Sequence, residues 1–159
     1  MVTEDAHDGA TVRFPPPLVP LIALGVGFLL DWVFGALATP LAGTTRFVAG
    51  GGLALGGAGL ILAAGNLFRR SGQDPKPWKS TPEIIASGIY RWTRNPMYLG
   101  MGLAQAGLGI LFANLWIVAL VPVTWIVIYS TAIRHEEAYL ATKFGESYLE
   151  YKASVRRWI

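Results

Sequence analysis

Four long apolar blocks constrain the fold of this chain more than any other feature of its sequence. Residues 47–68, 96–112 and 115–133 carry no charged side chain, and residues 18–37 carry only Asp31. A helix needs about 20 such residues to cross roughly 30 Å of hydrocarbon, and shorter spans serve where the bilayer is thin. We therefore predict an all-α fold, an integral membrane four-helix bundle with one span in each block.

The distribution of basic residues indicates how the four spans are oriented. Four crossings place both termini and the middle loop on one side, which then holds twelve of the thirteen Lys and Arg residues. Only Arg46 lies on the other side. Because basic loops stay cytoplasmic, we expect cytoplasmic termini and a multi-pass protein of the cytoplasmic membrane. The same partition accounts for the basic composition as a signal of membrane topology. We therefore do not expect nucleic acid as a partner.

The beginning of the chain is predicted to be a polar tail over residues 1–17, followed by a single membrane domain over residues 18–159. A cleaved signal peptide is the competing interpretation of residues 1–38. Signal peptides begin with basic residues, whereas this tail is acidic and its apolar run is long, which favours a retained first span. Since the chain has no cysteine, a thiolate nucleophile and a thiolate metal site are excluded. His135 has no metal-like partner, so we expect no metal site.

Local signals add detail to the bundle. A stripe of small residues on the second span predicts close approach of another helix, either within the chain or across a dimer seam; it comprises Gly52, Gly56, Gly59 and Ala63. A turn at Ala113 and Asn114 predicts a tight hairpin of the last two spans. Pro122 predicts a kink in the fourth span, because proline removes a backbone hydrogen bond.

A short interfacial helix is predicted before the third span. Ser80 is a capping residue, Glu83 falls in the first turn, and Gly88 supplies the stop. This helix would carry Ile84 and Ile85 at the cytoplasmic face.

After residue 133, apolar side chains recur every three or four positions, which predicts a C-terminal amphipathic helical tail over residues 135–157. The tail is expected to be interrupted near Gly145, and to lie against the membrane face or fold over a site there.

The first of two polar clusters lies at the start of the third span. Aromatic and cationic residues at this position are typical of an interfacial belt, but a belt does not account for Asn95 and Pro96. Proline in the first turn leaves helix amides free to meet a polar group, and Asn95 can cap them. Such a cluster offers donors for a carboxylate and aromatic faces for a cation or a purine; it comprises Tyr90, Arg91, Trp92, Arg94, Asn95, Pro96 and Tyr98.

The second polar cluster, Arg134 to Glu137, follows the fourth span. We expect Glu136 and Glu137 at a helix C-terminus, where acidic side chains oppose the helix dipole. A bound cation would offset that cost, either a ligand ammonium or Arg94 or Arg134; an ordinary solvated helix end is the alternative. Arg134 is the candidate catalytic residue. Asp31, a charge inside the first span, is a separate functional candidate.

Three motifs in order carry a resemblance to a known family. The sequence reads Gly88-x-Tyr90-x-x-x-Arg94-Asn95-Pro96-x-Tyr98-x-Gly100, then Glu136-Glu137, then Phe144-Gly145-x-x-Tyr148-x-x-Tyr151. It resembles the isoprenylcysteine carboxyl methyltransferase and phospholipid methyltransferase superfamily over roughly residues 80–157. The resemblance implies an integral membrane methyltransferase that uses S-adenosylmethionine, with a cofactor site at the cytoplasmic face.

The resemblance also implies roles for individual residues. Glu136 would pair with the α-amino group of the cofactor, and the backbone near Ile84 and Ile85 would line its adenosine pocket. The full expected cofactor-binding set is Ile84, Ile85, Gly88, Tyr90, Arg94, Asn95, Pro96, Met97, Tyr98, Glu136 and Glu137. The methyl acceptor stays open: a prenylcysteine carboxylate, a lipid amine or a thiol, with membrane lipids as surrounding partners.

Two other function classes stay open at this point. A sterol-reductase-like membrane enzyme would use NADPH, and a non-enzymatic membrane scaffold would need neither polar cluster. Binding of S-adenosylmethionine or of NADPH distinguishes the three possibilities.

Overall fold

The computed structural model describes residues 9–12, 14–37, 39–41 and 43–159, and these residues form helices, turns and irregular segments without a strand. The all-α prediction is therefore confirmed. The α-helices are α1 (Leu18–Phe34), α2 (Gly43–Arg70), α3 (Pro96–Leu111), α4 (Leu115–Ala119), α5 (Val121–Ile128), α6 (Arg134–Phe144) and α7 (Glu146–Ser154). A 3₁₀ turn spans Gly88–Arg91, and a π-helical turn, Tyr129–Ile133, joins α5 to α6.

Each predicted apolar block is helical, but the blocks differ in length. Within the described residues, two helical runs are long and apolar enough to cross a membrane, namely Gly43–Arg70 and the stretch Leu115–Phe144. In the second run the apolar residues end at Ile133, and α6 is charged. The helices α1 and α3 have 17 and 16 residues, slightly fewer than a typical span.

Glycines bring α2 and α3 into backbone contact. A Cβ atom at Gly57 would lie 2.5 Å from the carbonyl oxygen of Gly100, and one at Gly100 would lie 2.6 Å from that of Gly57. The seam on α2 repeats every seven residues, at Gly50, Gly57 and Ala64, which are all buried. The predicted stripe is therefore wrong as an internal seam, because its residues face outward; they are Gly52, Gly56, Gly59 and Ala63.

The hairpin predicted between the last two blocks is confirmed. Asn114 accepts a hydrogen bond from the amide of Ile117 at 3.2 Å and donates one to the carbonyl of Gly27 at 3.1 Å. One side chain thus caps α4 and ties it to α1. Where a kink was predicted at Pro122, the fourth block is divided into two helices, since α4 ends at Ala119 and Pro122 lies in the first turn of α5.

The predicted helix near Ser80 is absent, and residues 80–87 are irregular. Tertiary contacts override the local helix signal here. The Ser80 hydroxyl accepts a hydrogen bond from Lys143 at 3.0 Å, and the amide of Thr81 donates to the Tyr139 hydroxyl at 3.3 Å. Both partners lie on α6. Gly88 does not end a helix: it begins the 3₁₀ turn with a φ of +57°, a conformation that favours glycine.

The C-terminal tail forms the two helices expected, α6 and α7, separated at Gly145. It folds back over the start of α3. The amide of Arg94 donates to the carbonyl of Arg156 at 2.9 Å, and the Thr93 hydroxyl donates to the carbonyl of Arg157 at 3.0 Å. We call residues 146–157 the C-terminal strap. The C-terminal strap places α6 opposite the segment that precedes α3.

Candidate active site

A cleft lies between the segment before α3 and the helices α6 and α7, with about 890 Å³ of space that is partly open to solvent. Ten of the eleven predicted cofactor-binding residues line this cleft, and they are Ile84, Ile85, Tyr90, Arg94, Asn95, Pro96, Met97, Tyr98, Glu136 and Glu137.

Two predicted site residues lie outside the cleft lining. Gly88 packs against Leu67, where a Cβ atom would lie 3.0 Å from a leucine methyl, and it directs the chain into the 3₁₀ turn. Arg134 is exposed, and its Nε atom donates to Nε2 of His135 at 3.2 Å. The geometry gives Arg134 no contact with the cleft wall, so its catalytic role stays a prediction.

Glu136 is one of four acidic residues that line the cleft, with Asp74, Glu83 and Glu137, and its carboxylate is open, that is, without a basic partner among the described residues. Its carboxylate accepts a hydrogen bond from the Tyr98 hydroxyl. Burial raises the pKa of Glu136 to about 7, against the hydrogen bond from Tyr98, and the neighbouring charge of Glu137 adds to the rise. A cation entering the cleft would therefore meet an uncompensated carboxylate.

The carboxylate of Glu137 is paired with basic side chains of the protein itself. Arg157 donates to it through Nε at 2.9 Å and through a terminal nitrogen at 3.0 Å, Arg94 donates at 3.2 Å, and Lys152 lies at 3.3 Å. Burial alone would raise the pKa of Glu137, but the hydrogen bonds and charges of Arg157 and Arg94 outweigh it and hold the pKa at about 2. This ion cluster fastens the C-terminal strap.

Arg94 is part of the same fastening. Its guanidinium donates to the carbonyls of Lys152 and Val155 as well as to Glu137, so these partners take most of its donors. The predicted role of Asn95 as a helix cap is wrong: its side chain makes no cap hydrogen bond and instead donates to the carbonyl of Arg157 at 3.2 Å. Cleft-lining Arg94 and Asn95 thus hold the strap.

The carboxylates also differ from expectation in their helix position. The sequence predicts a helix C-terminus at this position, but the π-helical turn carries the chain onward into α6, where Glu136 and Glu137 occupy the first turn. The expected conflict with the helix dipole is therefore absent. The pKa shifts of the pair arise from burial and from the groups around each carboxylate.

Three tyrosines complete the wall beside Glu136. Tyr151 donates from its hydroxyl to the carbonyl of Tyr90 at 2.8 Å, which connects the strap to the 3₁₀ turn. Tyr148 is almost fully buried. Burial raises the pKa of Tyr90 above its usual range and those of Tyr148 and Tyr151 to about 12, so all three stay neutral at physiological pH.

Sequence reasoning did not identify several lining residues. Asp74, Lys76 and Thr81 reach the cleft from the irregular loop after α2, and Tyr139 and Leu140 reach it from α6. The apolar periodicity of the C-terminal tail includes Leu140, and it was the one sequence signal for any of these lining residues. Nothing local marks the loop residues, since their position depends on how the loop folds across the cleft.

Comparisons with known proteins place the chain in a family. The sequence model of the family described as phospholipid methyltransferase matches residues 45–147, which is more than half of the chain. The chain therefore belongs to the phospholipid methyltransferase family.

Curated relatives agree with this assignment. The protein-S-isoprenylcysteine O-methyltransferase of Saccharomyces cerevisiae is 30% identical over 140 residues, covering 87% of this chain and 53% of that protein. The enzyme of the same name from Xenopus laevis is 36% identical over 96 residues, covering 60% of this chain and 32% of that protein. The chain thus spans between a third and about half of the length of these relatives. No solved structure gives a significant match.

Proposed function

We propose that this protein is an integral membrane methyltransferase that moves a methyl group from S-adenosylmethionine to a lipophilic or small acceptor at the cytoplasmic membrane face. Family membership supports the reaction class. The single observation that carries the cofactor assignment is the open carboxylate of Glu136 in the cleft. S-adenosylmethionine has an α-ammonium group, which such a carboxylate would bind.

The rest of the cleft suits the other parts of that molecule. Ile84, Ile85, Met97 and Leu140 supply apolar surface for a flat base, and the tyrosines beside Glu136 supply aromatic faces on which a sulfonium can rest. Arg94 is committed to the strap, so the cofactor carboxylate would be bound by other groups. Lys76, more than half exposed at the cleft edge, is the candidate, and it would exchange its exposed ion pair with Asp74 at 3.4 Å for the cofactor carboxylate.

S-adenosylmethionine supplies an electrophilic methyl group. In the transfer, a lone pair of the acceptor forms a bond to the methyl carbon while the carbon–sulfur bond breaks and its electron pair stays on sulfur. A carboxylate acceptor becomes a neutral ester without losing a proton, whereas an amine or thiol gives its proton to water. The protein therefore contributes mainly position and exclusion of water. No covalent protein intermediate is needed.

A membrane location would bring the methyl acceptor beside the bilayer. Two helical runs can cross a membrane by length and apolarity, and α1 and α3 would complete a four-span bundle in a thin or locally adapted bilayer. The charge partition supports cytoplasmic termini. Among lipophilic acceptors, the names of the relatives favour a prenylated cysteine carboxylate, with a lipid amine or a thiol as alternatives.

Ligand titration of the purified protein in detergent tests the proposal. We expect S-adenosylmethionine and its demethylated product to bind, and NADPH not to bind. Glu136→Gln should weaken binding of the methyl donor at least about tenfold, since a charge-assisted hydrogen bond contributes about 1.5–3 kcal/mol. Glu150→Gln on the exposed side of α7 is the matched control. Binding of NADPH alone would instead favour a reductase.

A methyl-transfer assay then identifies the acceptor. The radiolabelled methyl donor is supplied with a farnesylated cysteine carboxylate, with phosphatidylethanolamine, and with a hydrophobic thiol, each in mixed micelles. Label in the farnesylated compound alone would support the carboxylate acceptor. Transfer to none of these by a protein that binds the donor would refute all three acceptor classes while leaving the cofactor site in place.

A further inference from the structure

A second concave surface lies on the other side of the segment that forms the cleft wall. It measures about 830 Å³, partly open to solvent, and shares no lining residue with the cleft. Ile89, Arg91, Trp92 and Thr93 face this groove, whereas Tyr90 and Arg94 face the cleft. The end of the C-terminal strap forms its other edge.

The groove has an apolar inner wall and a positively charged rim. Leu60 of α2 and Leu99 of α3 line its inner part, while Arg91 and Arg156 lie at its exposed part. Among the described residues neither guanidinium makes an ion pair, and no Asp or Glu lines the groove. An anion at this rim would therefore meet two guanidinium groups and no acidic side chain of the lining.

The depth of the groove matches the interior of a bilayer. Leu60 lies ten residues before the end of α2 at Arg70, which corresponds to about 15 Å along the helix axis. Trp92, which is 78% exposed, lines the groove beside Arg91, where an indole ring marks a membrane interface. One end of the groove thus reaches hydrocarbon depth, and the other reaches the headgroup level.

We propose that this groove binds one anionic phospholipid, with its phosphate between Arg91 and Arg156 and an acyl chain along Leu60 and Leu99. Basic pockets beside membrane helices on the cytoplasmic side are suited to such headgroups. The lipid would contact the outer surface of the 3₁₀ turn whose inner surface borders the cleft. This groove is separate from the cofactor cleft, with which it shares no lining residue, and the proposal depends on membrane insertion but not on the methyl donor.

Native mass spectrometry tests the proposal on the full chain, released from nanodiscs with equal amounts of phosphatidylglycerol and phosphatidylcholine. With two arginines at the phosphate, we expect the protein to retain one phosphatidylglycerol, with a preference over phosphatidylcholine on the order of 30-fold. Arg91→Gln with Arg156→Gln should reduce the preference to about one. The matched control is Arg69→Gln with Arg70→Gln, which removes two exposed arginines outside the groove and should keep most of the preference.

A second variant distinguishes lipid binding in the groove from general attraction to surface charge. Leu60→Trp fills the apolar part and retains both arginines, so we expect it to lose the bound lipid as well. Equal loss in the control and in the double variant would overturn the proposal, because it would indicate general attraction to a basic surface. A dimer in the same spectrum that the double variant abolishes would also overturn it, by assigning the groove to a second copy of the chain.

Discussion

The ion cluster at Glu137 predicts how firmly the C-terminal strap is held. The side chains of Glu137 and Arg94 are only 10% and 9% exposed. The pKa of Glu137 is about 2 in the folded protein against 4.5 for an unperturbed glutamate. One pKa unit corresponds to about 1.4 kcal/mol, so the carboxylate stabilises the closed strap by about 3 kcal/mol at neutral pH. Partial exposure of Arg157 and Lys152 makes this an upper value.

Glu137→Gln removes this stabilisation. Because each 1.4 kcal/mol is a factor of ten, strap opening should become up to about 100-fold more frequent in the variant. Hydrogen–deuterium exchange read by mass spectrometry measures this directly. The amide of Arg94, bonded to Arg156 in the strap, and the amides of α7 should exchange faster, while those of α2 and α3 should not change.

The sign of the pH dependence follows from the lowered pKa. The stabilisation is fully present above about pH 4.5, where an unfolded glutamate is ionised, and it is lost as the pH falls toward about 2. Glu150→Gln, on the exposed side of α7, is the control and should leave exchange unchanged. Unchanged exchange in Glu137→Gln, or equal acceleration throughout α2 and α3, would refute the assignment of the cluster as a local fastening.

Two further predictions concern ligand binding and packing. Since the pKa of Glu136 is about 7, the affinity for S-adenosylmethionine should rise about tenfold between pH 5.5 and pH 7, and Glu136→Gln should flatten this rise in a binding titration. Gly57→Ala should destabilise the protein by about 1–3 kcal/mol in a thermal or detergent unfolding assay, because its Cβ would lie 2.5 Å from a backbone atom of α3. Gly56→Ala meets no atom within 4 Å and is the control; equal effects of the two would contradict the α2–α3 seam.

Local composition predicted the membrane helices and the C-terminal tail, whereas the helix predicted at Ser80 is absent because tertiary contacts override its local signal. Uncharged blocks, Pro96 and Asn114 locate the beginning or end of an element, and Gly145 separates α6 from α7. The face of a helix is harder to predict when small residues occur all around it. Gly56 and Gly57 are adjacent and chemically identical, and only the position of α3 decides which of them is buried.

The sequence predicted many of the residues that line the candidate site, but not the hydrogen bonds and ion pairs that connect them. The polar clusters contain seven residues that line the cleft, and the family resemblance added Ile84, Ile85 and Met97. Sequence alone did not distinguish the open carboxylate of Glu136 from the bound carboxylate of Glu137. That difference depends on Arg157, which is 20 positions away, and on the π-helical turn that carries the pair into α6. Long-range ion pairs leave no local pattern.

Photo-crosslinking of radiolabelled S-adenosylmethionine tests the central claim most directly, because it reports where the methyl donor binds. The purified protein is irradiated with the labelled donor, digested, and mapped by peptide. We expect label in peptides from residues 81–98 and 136–151, reduced by excess S-adenosylhomocysteine and by Glu136→Gln. Label confined to other peptides, or label that the excess does not reduce, would contradict a methyl-donor site in this cleft.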